Sequence, residues 1–307
     1  MVARLTRLLL LIQLAAAIGI GLAMYHLLPA ITPWQAALLG VGSVFLVRLL
    51  ITANNFLMAW RHRSATPEQH ALRWYQTCRL FAGEFKSSML TSSWYMPFFS
   101  VSRKNFADTP SLPVLLIHGY GCNSGYWHHL GRGLSAKHIT HHAIDLEPVF
   151  GSIDDYLPAV HAAIDILRRE SGQEKIIIVA HSMGGLVARA YLCVHGAAHI
   201  AKVITLGVPH HGTGLAEIGI GKNSDQMRCT DDHPHSWLRQ LAEKESPAHY
   251  ALFVNIYSHH DNIVSPQTSS CLSGARNLAV SGIGHVALAF HPTTQAMVMA
   301  EILGTPV

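Results

Sequence analysis

Charge is scarce in this chain. Only 13% of its 307 residues are Asp, Glu, Lys or Arg, and the net charge is a mild +4. So weak a basic balance, with no nucleic-acid motif anywhere, points away from a nucleic-acid partner and suits a membrane surface better. Cysteine is scarce too: Cys78, Cys122, Cys193, Cys229 and Cys271 are odd in number and widely separated. They show no metal-ligand spacing and make no disulfide scaffold. One pair, Cys229 and Cys271, flanks the region around Asp261 and could bridge if the domain were exported. Neither an H-E-x-x-H string nor a Cys/His cluster is present, so no catalytic metal and no cofactor is expected. Repeats and low-complexity tracts are also lacking.

Apolar residues, by contrast, make up half the chain, and the excess collects at the N-terminus. Leu8 to Leu28 and Ile31 to Ile51 are two nearly uninterrupted apolar runs separated by a short break bordered by Pro29 and Pro33. About 20 apolar residues span a bilayer as a helix, so residues 1–53 read as a membrane anchor hairpin. The first run also resembles a signal peptide, but it lacks a polar cleavage region and leads straight into the second. A buried soluble hairpin is the plain alternative, and it would need a large covering partner. Arg48 lies near the end of the second run, from which it can snorkel to the interface. Arg4 and Arg7 precede the pair, Arg61, Arg63, Arg73 and Arg79 follow it, and the turn near Pro29 has no Lys or Arg. By the positive-inside rule both ends, and the domain that follows, face the cytoplasm. Residues 54–110 mix aromatic and basic side chains and read as an amphipathic or irregular junction.

From Pro110 onward the pattern alternates. Strands are expected at Val114–Ile117, His138–Ile144, Lys175–Val179, Lys202–Leu206, Leu252–Tyr257 and Arg276–Val280. Helices are expected at Ile153–Arg169, Met183–Val194 and Ala289–Leu303, the last containing His291. Such alternation implies a mostly parallel sheet covered on both faces. Between Pro209 and Ser246 it fails, and a polar, Gly- and His-rich stretch stands where a lid-like insertion of about 209–246 would sit.

The stretch Lys175 to Gly185 reads KIIIVAHSMGG: a strand, a sharp turn and a helix, with Ser182 at the turn. Small residues at Ala180 and Gly184 are what a strained turn of this kind needs, and Gly185 lets the helix approach the sheet. A serine in this position can also be a plain helix cap. The string resembles the nucleophile elbow of α/β-hydrolases, with Ala in place of the first Gly as in a subgroup of bacterial lipases. PVLLIHGYG, Pro113 to Gly121, is similar to the oxyanion loop of lipases and esterases, and TLGVPHHGT, Thr205 to Thr213, also resembles lipase sequences. The likeness covers about Pro113 to Leu303. It implies an α/β-hydrolase domain over 111–307, with the backbone N–H groups of Tyr120 and Met183 as the oxyanion hole.

The resemblance further implies a chain order of Ser, acid and His. Asp261, in LFVNIYSHHDNIVSP, closely follows a strand, and His285, in SGIGH, follows the last one. Ser182, Asp261 and His285 are therefore the expected triad. Asp145, Asp225, Asp231 and Asp232 are rival acids, while His118, His181, His210, His211, His259 and His260 are expected to be structural or on the surface. The activity implied is carboxyl ester hydrolysis through an acyl-enzyme, on a lipid or other acyl ester. An acyltransferase or thioesterase with the same triad and a non-catalytic membrane scaffold are the alternatives. The implied location is a bacterial inner membrane with the enzyme on its cytoplasmic side, the alternative being a periplasmic or secreted enzyme.

Overall fold

The computed structural model describes residues 1–100, 103–230 and 233–306; Asp231 and Asp232, two of the rival acids, lie outside them. Six strands form one sheet: β1 (Val114–Ile117), β2 (His141–Ile144), β3 (Ile176–His181), β4 (Ile200–Leu206), β5 (Phe253–Ser258) and β6 (Arg276–Val280). Their order is β2-β1-β3-β4-β5-β6 and every pairing is parallel. The chain steps from β1 outward to β2, then returns to the other side of β1 to lay down β3. That reversal leaves a crevice at the carboxyl ends of β1 and β3, where open parallel sheets take their ligands. Ile117 pairs with Ala180 there, so the loop after β1 and the turn after β3 are neighbours.

The run IIIVAH forms a central strand because both its faces are covered and all six residues are buried. Ile176, Ile178 and Ala180 join a core with Val160, Ile164 and Leu167 of α5 (Leu157–Ser171) and Leu186 of α6 (Met183–His195). Ile177 and Val179 face the opposite core, with Leu134 of α4 (His128–Ala136) and Val298 and Ile302 of α8 (Pro292–Leu303). Each such buried aliphatic side chain contributes about 1.5–3 kcal/mol relative to exposure. The closing helix starts later than its sequence pattern indicates. Val286–Ala289 forms a 3-10 turn instead, and His291 is the N-cap, its Nδ1 accepting the Thr293 N–H at 3.3 Å. Pro292 suits the first helical position, where its missing N–H costs nothing.

The stretch 209–246 is ordered as short turns, a two-residue antiparallel ladder (Cys229–Thr230 with His233–Pro234) and α7 (Ser236–Lys244). Leu238 and Leu241 of α7 enter the core beside α6. Arg189 of α6, 1% exposed, locks the region down: its guanidinium meets Glu245 at 2.5 Å and donates to the His210 carbonyl at 2.7 Å.

The two N-terminal apolar runs form α1 (Val2–Leu27) and α2 (Pro33–Arg61), each long and apolar enough to cross a membrane, with mean hydropathies of 2.2 and 2.1. Thr32 and Gln35 cap α2 reciprocally. The helices touch through small residues: a Cβ at Gly40 would stand 2.1 Å from the Ala17 carbonyl oxygen, and one at Gly21 would stand 3.1 Å from that of Ala36. Such small residues let helix backbones approach closely. Because α2 runs on to Arg61, Arg48 sits in the middle of the helix rather than near its end. Its side chain does not snorkel outward. It turns inward, donating to Gln13 Oε1 at 3.0 Å, Ser93 Oγ at 2.8 Å and Ser92 Oγ.

The hairpin is docked at both ends on the sheet domain. Arg7 donates to the Pro97 carbonyl at 2.8 Å, and Val2 packs with Met96 and Val149. At the far end of α2, Ser265 Oγ donates to the Ala59 carbonyl at 2.7 Å. The junction that follows is mostly helical: α3 (Trp74–Leu90) runs into a π turn, Thr91–Tyr95.

Candidate active site

Ser182 follows β3 directly and takes φ 53°, ψ −129°, one of two positive-φ non-glycine residues among those described. That conformation costs about 1–3 kcal/mol and persists only where the surroundings over-determine it. They do so here through glycine. A Cβ at Gly184 would lie 2.5 Å from the Ile117 carbonyl oxygen, because β1 runs alongside; one at Gly185 would lie 2.3 Å from Val208 Cγ2. The turn is pinned by Ser182 N–H to Leu206 O (2.9 Å) and Gly185 N–H to Ser182 O (3.0 Å). The Ser182 hydroxyl itself makes no hydrogen bond among the described residues.

Asp261 and His285 stand on the loops after β5 and β6. Asp261 Oδ1 accepts the N–H groups of Ile263 and Val264, both at 2.8 Å, which leaves Oδ2 aimed at His285 Nδ1, also at 2.8 Å. An ionised carboxylate only accepts, so the imidazole proton sits on Nδ1 and Nε2 is left as the basic nitrogen. Asn262 Oδ1 accepts the His285 N–H at 3.0 Å, and Gln267 donates to the Asp261 carbonyl at 2.9 Å. The pair lies over Gly207, where a Cβ would come within 3.0 Å of Asp261 Oδ2 and 3.2 Å of His285 Nδ1. Burial pushes the His285 pKa down, but the charge and hydrogen bond of Asp261, with Glu84 adding, more than reverse it, and the net shift is upward.

The competing residues have other hydrogen-bond or ring partners. His118 donates from Nδ1 to the Gly119 carbonyl at 2.9 Å and accepts the Leu146 N–H at 3.1 Å on Nε2. His181 stacks on Tyr126 at 4.5 Å and donates to the His285 carbonyl at 3.2 Å. His210 donates to Asn255 at 3.2 Å and His211 to the Cys271 carbonyl at 3.0 Å. His259 packs against His70 at 4.4 Å, and His260 accepts the Gly282 N–H at 3.2 Å, its pKa pushed down by burial to about 4. Asp145 accepts the Ser124 N–H at 2.6 Å, and Asp225 pairs with Arg228 at 2.5 Å. Cys271 is a free thiol, so it is not bridged to Cys229.

Tyr120 and Met183 flank Ser182. Met183 opens α6, and the first N–H groups of a helix have no partner within it. Tyr120 follows Gly119, where a Cβ would stand 2.8 Å from Ser182 Cβ, so only glycine lets this loop approach the serine. The Tyr120 hydroxyl donates to the Ile220 carbonyl at 2.8 Å and accepts the Ile220 N–H at 3.0 Å, tying the loop to the 209–246 stretch.

Ser182 and His285 open on one cavity of about 400 Å³. The far wall is built by the N-terminal helices: Ile51 and Asn55 of α2, Phe85 and Met89 of α3. Among the described residues, none from 209–246 lines it.

Glu84 of α3 is a site residue that sequence reasoning missed. It is 1% exposed, and its two oxygens accept the N–H groups of Val286 and Ala287, each at 3.0 Å, immediately after His285. Gly284 is required beside it, since a Cβ there would stand 2.5 Å from Glu84 Oε2. Burial raises the Glu84 pKa against the pull of the two N–H groups and His285, and Asp261 raises it further. The available signal was its spacing: Glu84 falls four residues after Leu80, on the same buried helix face.

Residues 113–231 match the family model of the alpha/beta hydrolase fold. Over 113 residues the chain is 29% identical to a triacylglycerol lipase of Pseudomonas fragi, covering 34% of this chain and 37% of that one. Over 93 residues it is 28% identical to a pimeloyl-acyl-carrier-protein methyl ester esterase of Vibrio cholerae, covering 30% and 35%. The chain thus spans about a third of the length of each of these relatives. Among solved structures, the mature form of a Bacillus licheniformis lipase superposes with a TM-score of 0.55 at 17% identity, over 68% of this chain and 100% of that one. Aspergillus fumigatus lipase B gives 0.55 at 19% identity, over 62% and 52%. The chain carries the α/β-hydrolase fold behind two apolar N-terminal helices, and it resembles bacterial lipases and esterases.

Proposed function

We propose that this protein hydrolyses carboxyl esters through an acyl-enzyme formed on Ser182. The observation that carries the reading is the strained Ser182 turn facing one cavity with the buried Asp261–His285 pair. His285 Nε2 takes the Ser182 proton as the oxygen attacks the acyl carbonyl, and Asp261 holds the tautomer and steadies the imidazolium. The N–H groups of Tyr120 and Met183 receive the oxyanion, donors of a kind that contribute about 3–4 kcal/mol to the transition state. His285 then returns the proton to the leaving alcohol, and water repeats the cycle to release the acid. A fluorophosphonate ester should label the wild-type protein at Ser182, and Ser182→Ala should lose both labelling and turnover, about 10⁶-fold where a serine nucleophile has been removed from a comparable triad. Labelling retained at another serine refutes the assignment.

The apolar hairpin supports a membrane anchor. Its outer faces leave Leu11, Trp34 and Leu50 exposed, and exposed Trp60, Trp74 and Trp94 stand at the end of α2 and along the junction that follows it, as interfacial aromatics do. With arginines on both flanks and none at the turn, the reading is two spans with both ends in the cytoplasm. A cytoplasmic reporter fused at the C-terminus should be active and alkaline phosphatase fused there inactive; the reverse pattern puts the enzyme on the other side.

A further inference from the structure

Arg48 is a cation in an apolar helix, half-buried, and it lines the same cavity as Ser182 and His285. Its hydrogen bonds run to Gln13, Ser92 and Ser93, all neutral. Among the described residues it has no ion pair, and the cavity has no Asp or Glu in its wall. Taking a guanidinium partly out of water without a counter-charge is costly. The neutral partners orient it without neutralising it, and the π turn at Thr91–Tyr95 is what brings both serines to it. A second apolar cavity, of about 440 Å³, runs between α1 and α2 and shares Arg48, Ile51 and Ser92 with the first. The two cavities therefore adjoin at Arg48, which lines the apolar groove of the outer helices on one side and the cavity of the candidate nucleophile on the other.

We infer that Arg48 receives the anionic phosphate of a glycerophospholipid whose scissile acyl carbonyl sits at Ser182. The inference rests on the esterase reading above and names its substrate class. One acyl chain lies along the cavity wall of α2 and α3, and the second enters the groove between α1 and α2. A guanidinium suits a phosphate because its N–H groups pair with two oxygens at once. Ser182 Oγ bonds to the acyl carbon, and the ester C–O bond breaks. The lysophospholipid alkoxide leaves with the proton held by His285, and water then releases the fatty acid.

The test compares kcat/KM of the full chain in detergent micelles on dihexanoylphosphatidylglycerol and dihexanoylglycerol, which carry the same acyl chains with and without phosphate. Wild type should prefer the phosphate ester. Arg48→Gln should lower the ratio of the two values by about tenfold or more, the size expected for one charge-assisted contact, chiefly through KM on the phospholipid. Arg48→Lys should restore part of it. An unchanged ratio in Arg48→Gln makes the residue a mere tie between helices and overturns the inference. So does a ratio that moves only for an ester bearing a carboxylate in place of the phosphate. Ser182-dependent turnover with an unmoved ratio sinks this inference alone, whereas turnover surviving Ser182→Ala sinks the esterase reading beneath it.

Discussion

The turn between β3 and α6 and the helical segment 1–98 both border His285, but they are held in place by different means. Ser182 is positioned by the sheet: a strand buried on both faces, a positive φ, an N–H bonded to β4, and two glycines that permit the close approach of β1 and Val208. Glu84 and Arg48 are positioned only by packing. One caps the amides after His285 from a helix some 200 residues away, and the other reaches the cavity because α2 forms part of its wall. The part that looks like an anchor thereby also contributes to the wall of the site. The hairpin and α3 thus act on the site at two points, α2 at the cavity wall and α3 at the loop of His285.

The largest expected effect tests the sheet-borne side. Asp261→Asn removes the acceptor that fixes the His285 tautomer, and turnover should fall about 10⁴-fold, as in the equivalent change in a serine protease. The same variant bears on the pH profile. In the proposed mechanism the base, His285, must be neutral, and Asp261 holds its pKa above the ordinary 6.5, so the acid limb of kcat/KM in the wild type should fall off above that value. In Asp261→Asn the residual activity should keep its limb to lower pH. Near-wild-type turnover of this variant, with Asp145→Asn crippled instead, would show the acid to be misplaced.

A smaller effect tests the helical side. Glu84→Ala leaves two buried N–H groups unpaired beside His285, and we expect turnover about 10²-fold lower, the scale of a small misplacement of a catalytic group. Glu84→Gln keeps one acceptor oxygen and should fall between. If kcat of Glu84→Ala equals wild type while its thermal midpoint drops, Glu84 serves stability alone, and segment 1–98 is an anchor after all.

How much could be read beforehand follows the same division. The β strands lay within a few residues of their patterns, and for β1 and β3 the reason is burial on both faces, which writes a nearly unbroken apolar run. Asp261 and His285 stand out in the sequence because each follows a strand end in the chain order that the resemblance implies, and the structure brings the two to 2.8 Å. His291 was read into the closing helix because periodicity does not reveal that Val286–Ala289 closes as a 3-10 turn under Glu84. The stretch 209–246 reads as lid-like because its alternation fails; none of its described residues lines the cavity, whose wall α2 and α3 share with the loops after β1, β3, β5 and β6.

By itself the sequence determined the parallel sheet, the elbow at Ser182 and the two apolar helices, since each leaves its mark within a short stretch of chain: apolar strand runs alternating with helical periodicity, small residues on either side of a serine, a helix as long as a bilayer is thick. Only the tertiary structure decided that α2 forms part of the cavity wall, that Arg48 turns inward to Gln13, Ser92 and Ser93, and that Glu84 holds the loop of His285. Those placements depend on which faces of distant helices pack together, and a carboxylate or guanidinium on a helix carries no local mark of the partner it will meet.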